Sequence, residues 1–452
     1  METLRTSSYM IPVKLEKEES KYMLIHGYTG AMDIVTETLL DKIKNISTVN
    51  VLPDNMITTL LKRGYITTKT QEEEYAYVAR MARALHEKYN ILYTTFTWVV
   101  TYNCNFRCPY CYEEKSFKNG SRNLTFTKAQ VDIAYKAQEL IQPNENLRKK
   151  TITLYGGEPF LEENKEIVEY IVEEGHKKGY VFSAITNGYE LNHFLDLLGP
   201  EKIYKLQITI DGAKNIHNER RPHYKDRNTF DVIIDNIEEA LKKNVKVVVR
   251  MNADSKNISS YPELEMYLRQ KGFLDYPNFT FYFGFIKDNK YITDEARETI
   301  DFISVDDFID KQQKLGVLPF KTDSGLYRKM CNSIKNRRPY VFNPIVCVAQ
   351  SSGYVLDPFG NIYPCWEVIN DKQNIEGFYS KEGVRWNNEV VGQWRGTNIA
   401  QTTPCNHCKY ALICGGGCPY HRRLLKKDDC LMFRKLFNVV VNKAYADSKI
   451  NV

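Results

Sequence analysis

Cysteine placement constrains this 452-residue chain more than any other feature: there are 11 cysteines, three in the loop Cys104-Asn-Phe-Arg-Cys108-Pro-Tyr-Cys111-Tyr112 and all the others beyond residue 330. The loop follows Phe96-Thr-Trp-Val-Val-Thr101, a run of β-branched and aromatic residues that suits a buried strand. Thiolates at such short spacing point to a metal centre and away from disulfides. Three on one loop can hold three corners of a [4Fe–4S] cube, which leaves the fourth iron for another ligand. Tyr110 and Tyr112 set aromatic surface beside that open corner. A zinc knuckle is the plain alternative.

Composition narrows the class. With 43% hydrophobic and 26% charged residues the chain reads as an ordinary soluble protein, long enough for two to four domains. It has no apolar run of roughly 18 residues, so no membrane partner is expected. The start, Met-Glu-Thr-Leu-Arg-Thr-Ser-Ser, lacks the apolar core of an export signal, and a cytoplasmic location follows. A net charge of +6 spread along the chain gives no ground for a nucleic-acid partner.

Residues 1–90 hold no cysteine. Strand-like stretches at Met10–Glu16 and Tyr22–Thr36 flank or contain a turn at Gly27-Tyr-Thr-Gly30. Helices are expected over Glu37–Lys44, over Pro53–Arg63 closed by Gly64, and over Gln71–Tyr89, with a short strand at Tyr65–Thr68. This pattern resembles the small winged-helix-like peptide-recognition elements of ribosomal-peptide maturases. The resemblance implies that the leader of a ribosomally synthesised precursor peptide adds a strand to the sheet edge. A block that only packs on the rest of the chain is the alternative.

Residues 91–300 alternate strand and helix, with strands expected at Phe96–Thr101, Thr151–Tyr155, Val181–Thr186, Leu206–Ile210, Lys246–Asn252 and Phe279–Ile286. Six parallel β/α units collect ligand-binding groups at the carboxyl ends of their strands. Polar motifs stand at those ends: Gly156-Gly157-Glu158-Pro159, Thr186-Asn187-Gly188, Thr209-Ile-Asp211-Gly212, and Arg250 with Asn252. Together with CxxxCxxC they resemble the radical S-adenosylmethionine (SAM) enzymes. That resemblance implies a partial (β/α)6 TIM-like barrel, α/β in class, and SAM chelated to the open iron of a [4Fe–4S] cluster on Cys104, Cys108 and Cys111. Reductive cleavage of SAM then gives a 5′-deoxyadenosyl radical that abstracts a hydrogen. It also implies SAM contacts from Tyr110, Gly156, Gly157, Glu158, Pro159, Asn187, Thr209, Asp211, Arg250 and Asn252. Thr209 replaces a commoner serine, and Thr209, Asp211 and Arg250 could equally serve the barrel's own hydrogen bonding. His217, Arg220 and Arg221 read as a solvated basic loop.

A charged helical bridge is expected over residues 301–346, and it contains Cys331. Residues 347–452 resume the cysteines as Cys347-x12-Gly360-x4-Cys365, a hairpin turning at Pro358–Asn361, then Cys405-x2-Cys408-x5-Cys414-x3-Cys418 and Cys430. This arrangement resembles the SPASM extension of radical SAM enzymes. The resemblance implies two auxiliary [4Fe–4S] clusters, three in all. The outer one is held by Cys405, Cys408, Cys414 and Cys430, and the inner one by Cys347, Cys365 and Cys418. Cys331 is a candidate for the fourth inner ligand, with a buried free thiol as its alternative. A zinc ribbon would use only four of these cysteines.

The function expected is a peptide maturase that forms an intrapeptide crosslink, a thioether in preference to a carbon–carbon (Lys–Trp type) bond, with an electron donor such as flavodoxin or ferredoxin. No side chain stands out as a general acid or base. Rivals are sulfatase-maturase-like oxidation of a protein residue, small-molecule radical chemistry, and an iron–sulfur or zinc module without catalysis.

Overall fold

The computed structural model describes residues 4–48, 52–91, 93–113, 124–286, 288–315, 325–396 and 398–450. The chain divides into two compact units, each assembled from segments distant in sequence: residues 1–91, 312–351 and 394–452 in the first, residues 92–311 and 352–393 in the second. Part of the expected bridge, 316–324, lies outside the described residues.

In the first unit, β1 (Arg5–Thr6) pairs with β5 (Ile66–Thr67), and β2 (Met10–Lys14), β3 (Lys21–His26) and β4 (Met32–Thr36) form an antiparallel sheet in that order. The stretch Tyr22–Thr36 is therefore two strands. Gly30, at φ +74°, turns the chain between them, and its N–H returns to the His26 carbonyl at 3.1 Å. Thr36 caps the helix Glu37–Lys44 by accepting the Leu39 N–H. The helix Asp54–Arg63 stops at Gly64, whose left-handed backbone (φ +89°) sends its N–H back to the Leu60 and Leu61 carbonyls.

Strand alternation gives this sheet two apolar faces. Met10, Leu24 and Val35 pack with Leu40, Ile43 and Leu60 from the two helices just named. Ile11, Val13, Leu15, Met23 and Ile25 pack on Met330, Tyr340, Ile413, Phe437, Val440 and Val441, from the helices Gly325–Lys335 and Cys430–Ile450 and the segments near them. Five aliphatic side chains at roughly 2 kcal/mol each amount to about 10 kcal/mol, the scale of a whole domain's stability. The N-terminal sheet and the C-terminal helix are thus one folding unit. The sequence reading had them in different domains.

The second unit is built on a ten-stranded sheet in the order β11-β10-β9-β8-β7-β6-β12-β13-β14-β15. Six strands run parallel in chain order: β6 (Thr94–Thr101), β7 (Arg148–Gly156), β8 (Val181–Thr186), β9 (Ile203–Thr209), β10 (Lys246–Ala253) and β11 (Phe279–Phe285). This is the α/β fold with a central parallel sheet that the sequence predicts. Trp98, fully buried on β6, packs against Phe126 and against Tyr135 of the helix Lys128–Ile141. Thr127 and Gln130 cap that helix reciprocally.

The free edge of β6 is taken by β12 (Gly353–Leu356), also parallel, followed by antiparallel β13 (Asn361–Tyr363), β14 (Gly377–Ser380) and β15 (Gly383–Trp386). The hairpin expected at Pro358–Asn361 is present, with Gly360 at φ +83° and both the Phe359 and Asn361 N–H groups donating to Asp357. It extends the parallel sheet, because an unpaired β6 edge would leave backbone groups without partners.

Candidate functional site

Cys104, Cys108 and Cys111 lie on the loop that leaves β6 at its carboxyl end, each partly buried. The three thiols lie within electrostatic reach of one another. Burial pushes all of them up, Cys104 further under the charges of Glu158 and Cys108, and Cys111 under those of Glu113, Cys108 and Cys104. Thiolates crowded in this way are stabilised by a bound cationic centre. Among the described residues no three His, Cys, Asp or Glu side chains converge on a single metal ion.

The loop is held from behind by the glycines at the end of β7. A β-carbon on Gly157 would lie 2.3 Å from the Asn103 carbonyl oxygen and 2.7 Å from that of Tyr102. One on Gly156 would lie 2.2 Å from the Thr101 carbonyl oxygen, at φ +129°. This approach lets the Gly157 N–H reach the Thr101 carbonyl (3.0 Å) and the Glu158 N–H reach that of Asn103 (2.8 Å). The glycines therefore seat the cysteine loop, whatever else they do. Pro159 is buried behind them.

Glu158 is 1% exposed and accepts three hydrogen bonds, from the Phe160 N–H (2.9 Å), the Thr186 hydroxyl (2.6 Å) and the Asn187 N–H (2.6 Å). Burial still pushes its carboxyl up to about 7. Asn187 donates to Asn105 of the cysteine loop at 2.7 Å. Two strand-end motifs thus brace the same loop.

At the ends of β9 and β10, Asp211 is wholly buried, with Oδ1 accepting the Asn252 N–H (2.9 Å) and Oδ2 the Tyr110 hydroxyl. Asn252 donates its side-chain amide to the same hydroxyl at 3.3 Å, and Arg221 also donates to it. The Tyr110 ring, between Cys108 and Cys111, is held by its hydroxyl. Thr209 lies beside Arg250 in the ladder, 8% exposed. Arg250 sits over Gly284 of β11, and its buried Nε has no partner.

The expectation of a solvated basic loop after β9 is corrected. Lys214–Arg220 is a helix, and His217 and Arg221 are buried. His217, kept neutral by burial, accepts the Asp211 N–H at 3.1 Å. Arg220 pairs with Asp254 at 2.9 Å, and Arg221 lies 3.9 Å from Asp211. Two buried aspartates need partners, and the sequence does not show this, since Arg220 and Asp254 lie 34 residues apart.

Further side chains belong to this site, and of these the sequence singled out only Tyr112. Glu113, two residues past Cys111, is 5% exposed; burial pushes it up to about 7, and its Oε2 has no partner. Tyr112 and Tyr155 share a hydroxyl–hydroxyl hydrogen bond, and the Tyr155 ring lies 5.8 Å from that of Trp366. Asn289 donates to Glu367 at 2.7 Å.

In the first unit, each thiol of Cys405, Cys408, Cys414 and Cys430 lies within electrostatic reach of others in the set. Burial pushes up Cys405, Cys414 (to about 11) and Cys430 (to about 12), and further rises come from Cys408 on Cys405 and Cys414, and from Cys405 and Cys414 on Cys430. Gly415, Gly416 and Gly417 all have positive φ, and the site of a Gly415 β-carbon is taken by the Ile345 carbonyl carbon at 2.4 Å. Arg422 donates to the Cys405 sulfur at 3.3 Å. The loop packs on the helix Gln71–Ile91, where His407 stacks on Tyr75 at 4.3 Å. Cys418 is anchored by its N–H to Asp429 at 2.9 Å. Cys347 and Cys418 belong to the first unit and Cys365 to the second. Cys331 packs beside Met330 in the apolar cluster formed with the helix Cys430–Ile450, in reach of Tyr327.

Residues 98–253 match the family model described as the Radical SAM superfamily. A GTP 3′,8-cyclase of Aliarcobacter butzleri is 28% identical over 185 residues, 39% of this chain and 51% of the cyclase. A cysteine-type anaerobic sulfatase-maturating enzyme of Clostridium novyi is 23% identical over 344 residues, 70% of this chain and 85% of that enzyme. The chain thus spans about half the length of the first relative and most of the second. The solved structure of native anSMEcpe with bound AdoMet and Cp18Cys peptide is similar in fold, with a TM-score of 0.57 at 17% identity, covering 80% of this chain and 100% of that one. Streptococcus suis SuiB bound to precursor peptide SuiA gives a TM-score of 0.51 at 13% identity, covering 94% of this chain and 97% of that one.

Proposed function

We propose, from the premise that this chain is an enzyme of the radical SAM superfamily, that it matures a ribosomally synthesised precursor peptide by forming an intrapeptide crosslink. Cys104, Cys108 and Cys111 fit a [4Fe–4S] cluster, because three crowded thiols stand on one braced loop. Cluster and SAM together supply hydrogen-atom abstraction from carbon. The protein's part is positioning. Glu158, Pro159 and Asn187 hold the loop, and the Gly156–Gly157 backbone offers carbonyl groups to the SAM ammonium. Asp211 and Asn252 fix Tyr110 as an aromatic wall, and Thr209 and Arg250 face the same ligand.

The observation that carries the peptide reading is the fold of residues 4–48 and 52–91: an edge strand, β4, on a small antiparallel sheet. SuiB, solved with a precursor peptide, covers 94% of the chain, against 80% for anSMEcpe, which supports assigning that block a leader-binding, winged-helix-like role. Cys405, Cys408, Cys414 and Cys430 hold an outer auxiliary [4Fe–4S] cluster. Cys347, Cys365 and Cys418 hold an inner one; Cys331, the candidate fourth ligand, is partly buried against an apolar cluster, which supports leaving it out of that set. Three protein thiolates leave an iron free for a substrate cysteine, so a thioether is the bond we assign. The location is cytoplasmic, and flavodoxin or ferredoxin is the electron donor.

The sulfatase-maturase reading keeps one specific support, the Clostridium novyi relative matched over 85% of its length. Anaerobic co-expression with candidate precursor peptides separates the two. Loss of two hydrogens with a new crosslink in tandem mass spectra, abolished by Cys104→Ala, is the expected result. Conversion of a sulfatase-derived cysteine peptide to the aldehyde, with no precursor crosslinked, would replace our reading.

A further inference from the structure

We propose that the basic collar on the outer cysteine set is the docking surface for an acidic one-electron carrier protein; this rests on the maturase reading above and says where its electron partner binds. From Cys405 to Lys435 the chain carries seven Lys and Arg against two Asp, within a chain whose whole net charge is only +6. Asp429 is turned to the fold, accepting the Cys418 N–H (2.9 Å) and pairing with His421 (2.7 Å), whereas Asp428 is exposed and accepts the Cys430 N–H (2.9 Å), so the stretch keeps an excess of five cations, seven less two.

The cations lie at the thiols. Arg422 donates to the Cys405 sulfur and to the Gly416 carbonyl. Lys409 follows Cys408 directly, with its ammonium 3.5 Å from the Met10 carbonyl oxygen and 5.7 Å from the centre of the Tyr410 ring. Arg434, four residues past Cys430, is exposed with its guanidinium 6.0 Å from the Tyr410 ring. Lys426 is exposed where the chain turns left-handed at φ +53°.

Two physical requirements meet here. Electron exchange falls steeply with distance, so a carrier protein must bring its redox group against the cluster's own shell. A field of one sign around that shell captures a partner of the opposite sign and speeds the encounter by 10- to 1,000-fold at low salt. In the step itself one electron passes between carrier and outer cluster. The donor is oxidised by one and the acceptor reduced by one; no bond forms or breaks and no proton is needed.

The test compares the full-length, cluster-loaded protein with a Lys426→Glu/Arg434→Glu variant; both positions are exposed and outside the proposed ligand set. The probes are a reduced flavodoxin of strongly acidic composition and the methyl viologen radical cation. Flavodoxin affinity is read by fluorescence anisotropy and cluster reduction by stopped-flow absorbance. At low ionic strength the variant should bind flavodoxin and be reduced by it about tenfold less well, the gap closing as salt screens the charges, while viologen reduces both proteins alike. Equal flavodoxin rates and equal salt dependence would overturn the proposal, as would tighter binding of a DNA duplex than of flavodoxin. Iron content and viologen-driven SAM cleavage, measured on the same samples, separate the two levels. Without them the radical SAM reading fails and takes the docking site with it. With them, and without a charge effect, docking alone fails.

Discussion

Replacing Gly157 by Ala tests whether the glycine pair seats the cysteine loop or only lines the ligand. Gly157 has no positive φ, so alanine brings no backbone strain there and the effect is steric. The added carbon would stand 2.3 Å from one backbone oxygen and 2.7 Å from another, where real contacts stay beyond 3.0 Å. Neither neighbour is a side-chain tip that can swing away, so Tyr102–Asn103 must move by several tenths of an ångström. That displacement breaks or stretches the Gly157-to-Thr101 and Glu158-to-Asn103 hydrogen bonds, at about 1 kcal/mol each. It also shifts Cys104, the next residue. A misplacement near 1 Å at reacting groups costs on the order of 100-fold in rate. Gly157→Ala should therefore lose about 2 kcal/mol of stability and SAM cleavage by roughly two orders of magnitude, with a disturbed cluster spectrum. Gly392→Ala, in the helix Asn388–Arg395 with nothing within 4 Å of the new carbon, is the control and should stabilise by about 0.5–1 kcal/mol. Thermal unfolding, electron paramagnetic resonance and 5′-deoxyadenosine production read all three effects. Wild-type spectrum and turnover in Gly157→Ala would refute the seating argument.

Other outcomes follow from the same geometry. Replacing Cys104, Cys108 and Cys111 together by Ala should lower iron from about twelve to about eight per chain and abolish SAM cleavage; retained cleavage would end the radical SAM reading. Cys331→Ala should leave iron content and cluster spectrum unchanged and cost about 1 kcal/mol in unfolding, as for a small packed side chain, and loss of iron would restore it to the inner set. Glu158, held at about 7 against an ordinary 4.5, binds its proton more tightly folded than unfolded, so its contribution is complete below pH 4.5 and fades as pH rises to 7. Urea unfolding of metal-free protein should show a loss of about 3 kcal/mol across that window that Glu158→Gln removes; an unchanged pH profile in the variant would refute it. Ile34→Pro, on the exposed edge strand β4, should weaken precursor crosslinking while SAM cleavage without peptide persists, as judged by mass spectrometry and chromatography.

Local signals made much of this legible. The six parallel strands stand within a few residues of their expected places, since buried strands are marked by β-branched runs and their ends by glycine and polar residues. Gly64, Gly30 and Gly360 stop or turn the chain as their lack of a β-carbon suggests. Tertiary partnerships were not legible. The strand Gly353–Leu356 reads as half of a local hairpin, and only the vacant edge of β6 explains its parallel pairing. Arg220 and Arg221 look like surface cations until Asp211 and Asp254 are seen buried beside them. Glu113 carries no motif, and its environment is visible only once Tyr155 and Glu367 are brought near by the fold.

The shared core of the N-terminal sheet and the C-terminal helix bears on how the protein is made. Ile11, Val13 and Ile25 are translated some 400 residues before Phe437, Val440 and Val441, which cover them. At about 5–20 residues per second that face of the sheet waits roughly 20–80 s for its cover. During that interval an apolar, edge-bearing sheet is exposed to whatever can pair with it. A holding chaperone, or the precursor's own leader, would be the earliest partner the nascent enzyme meets.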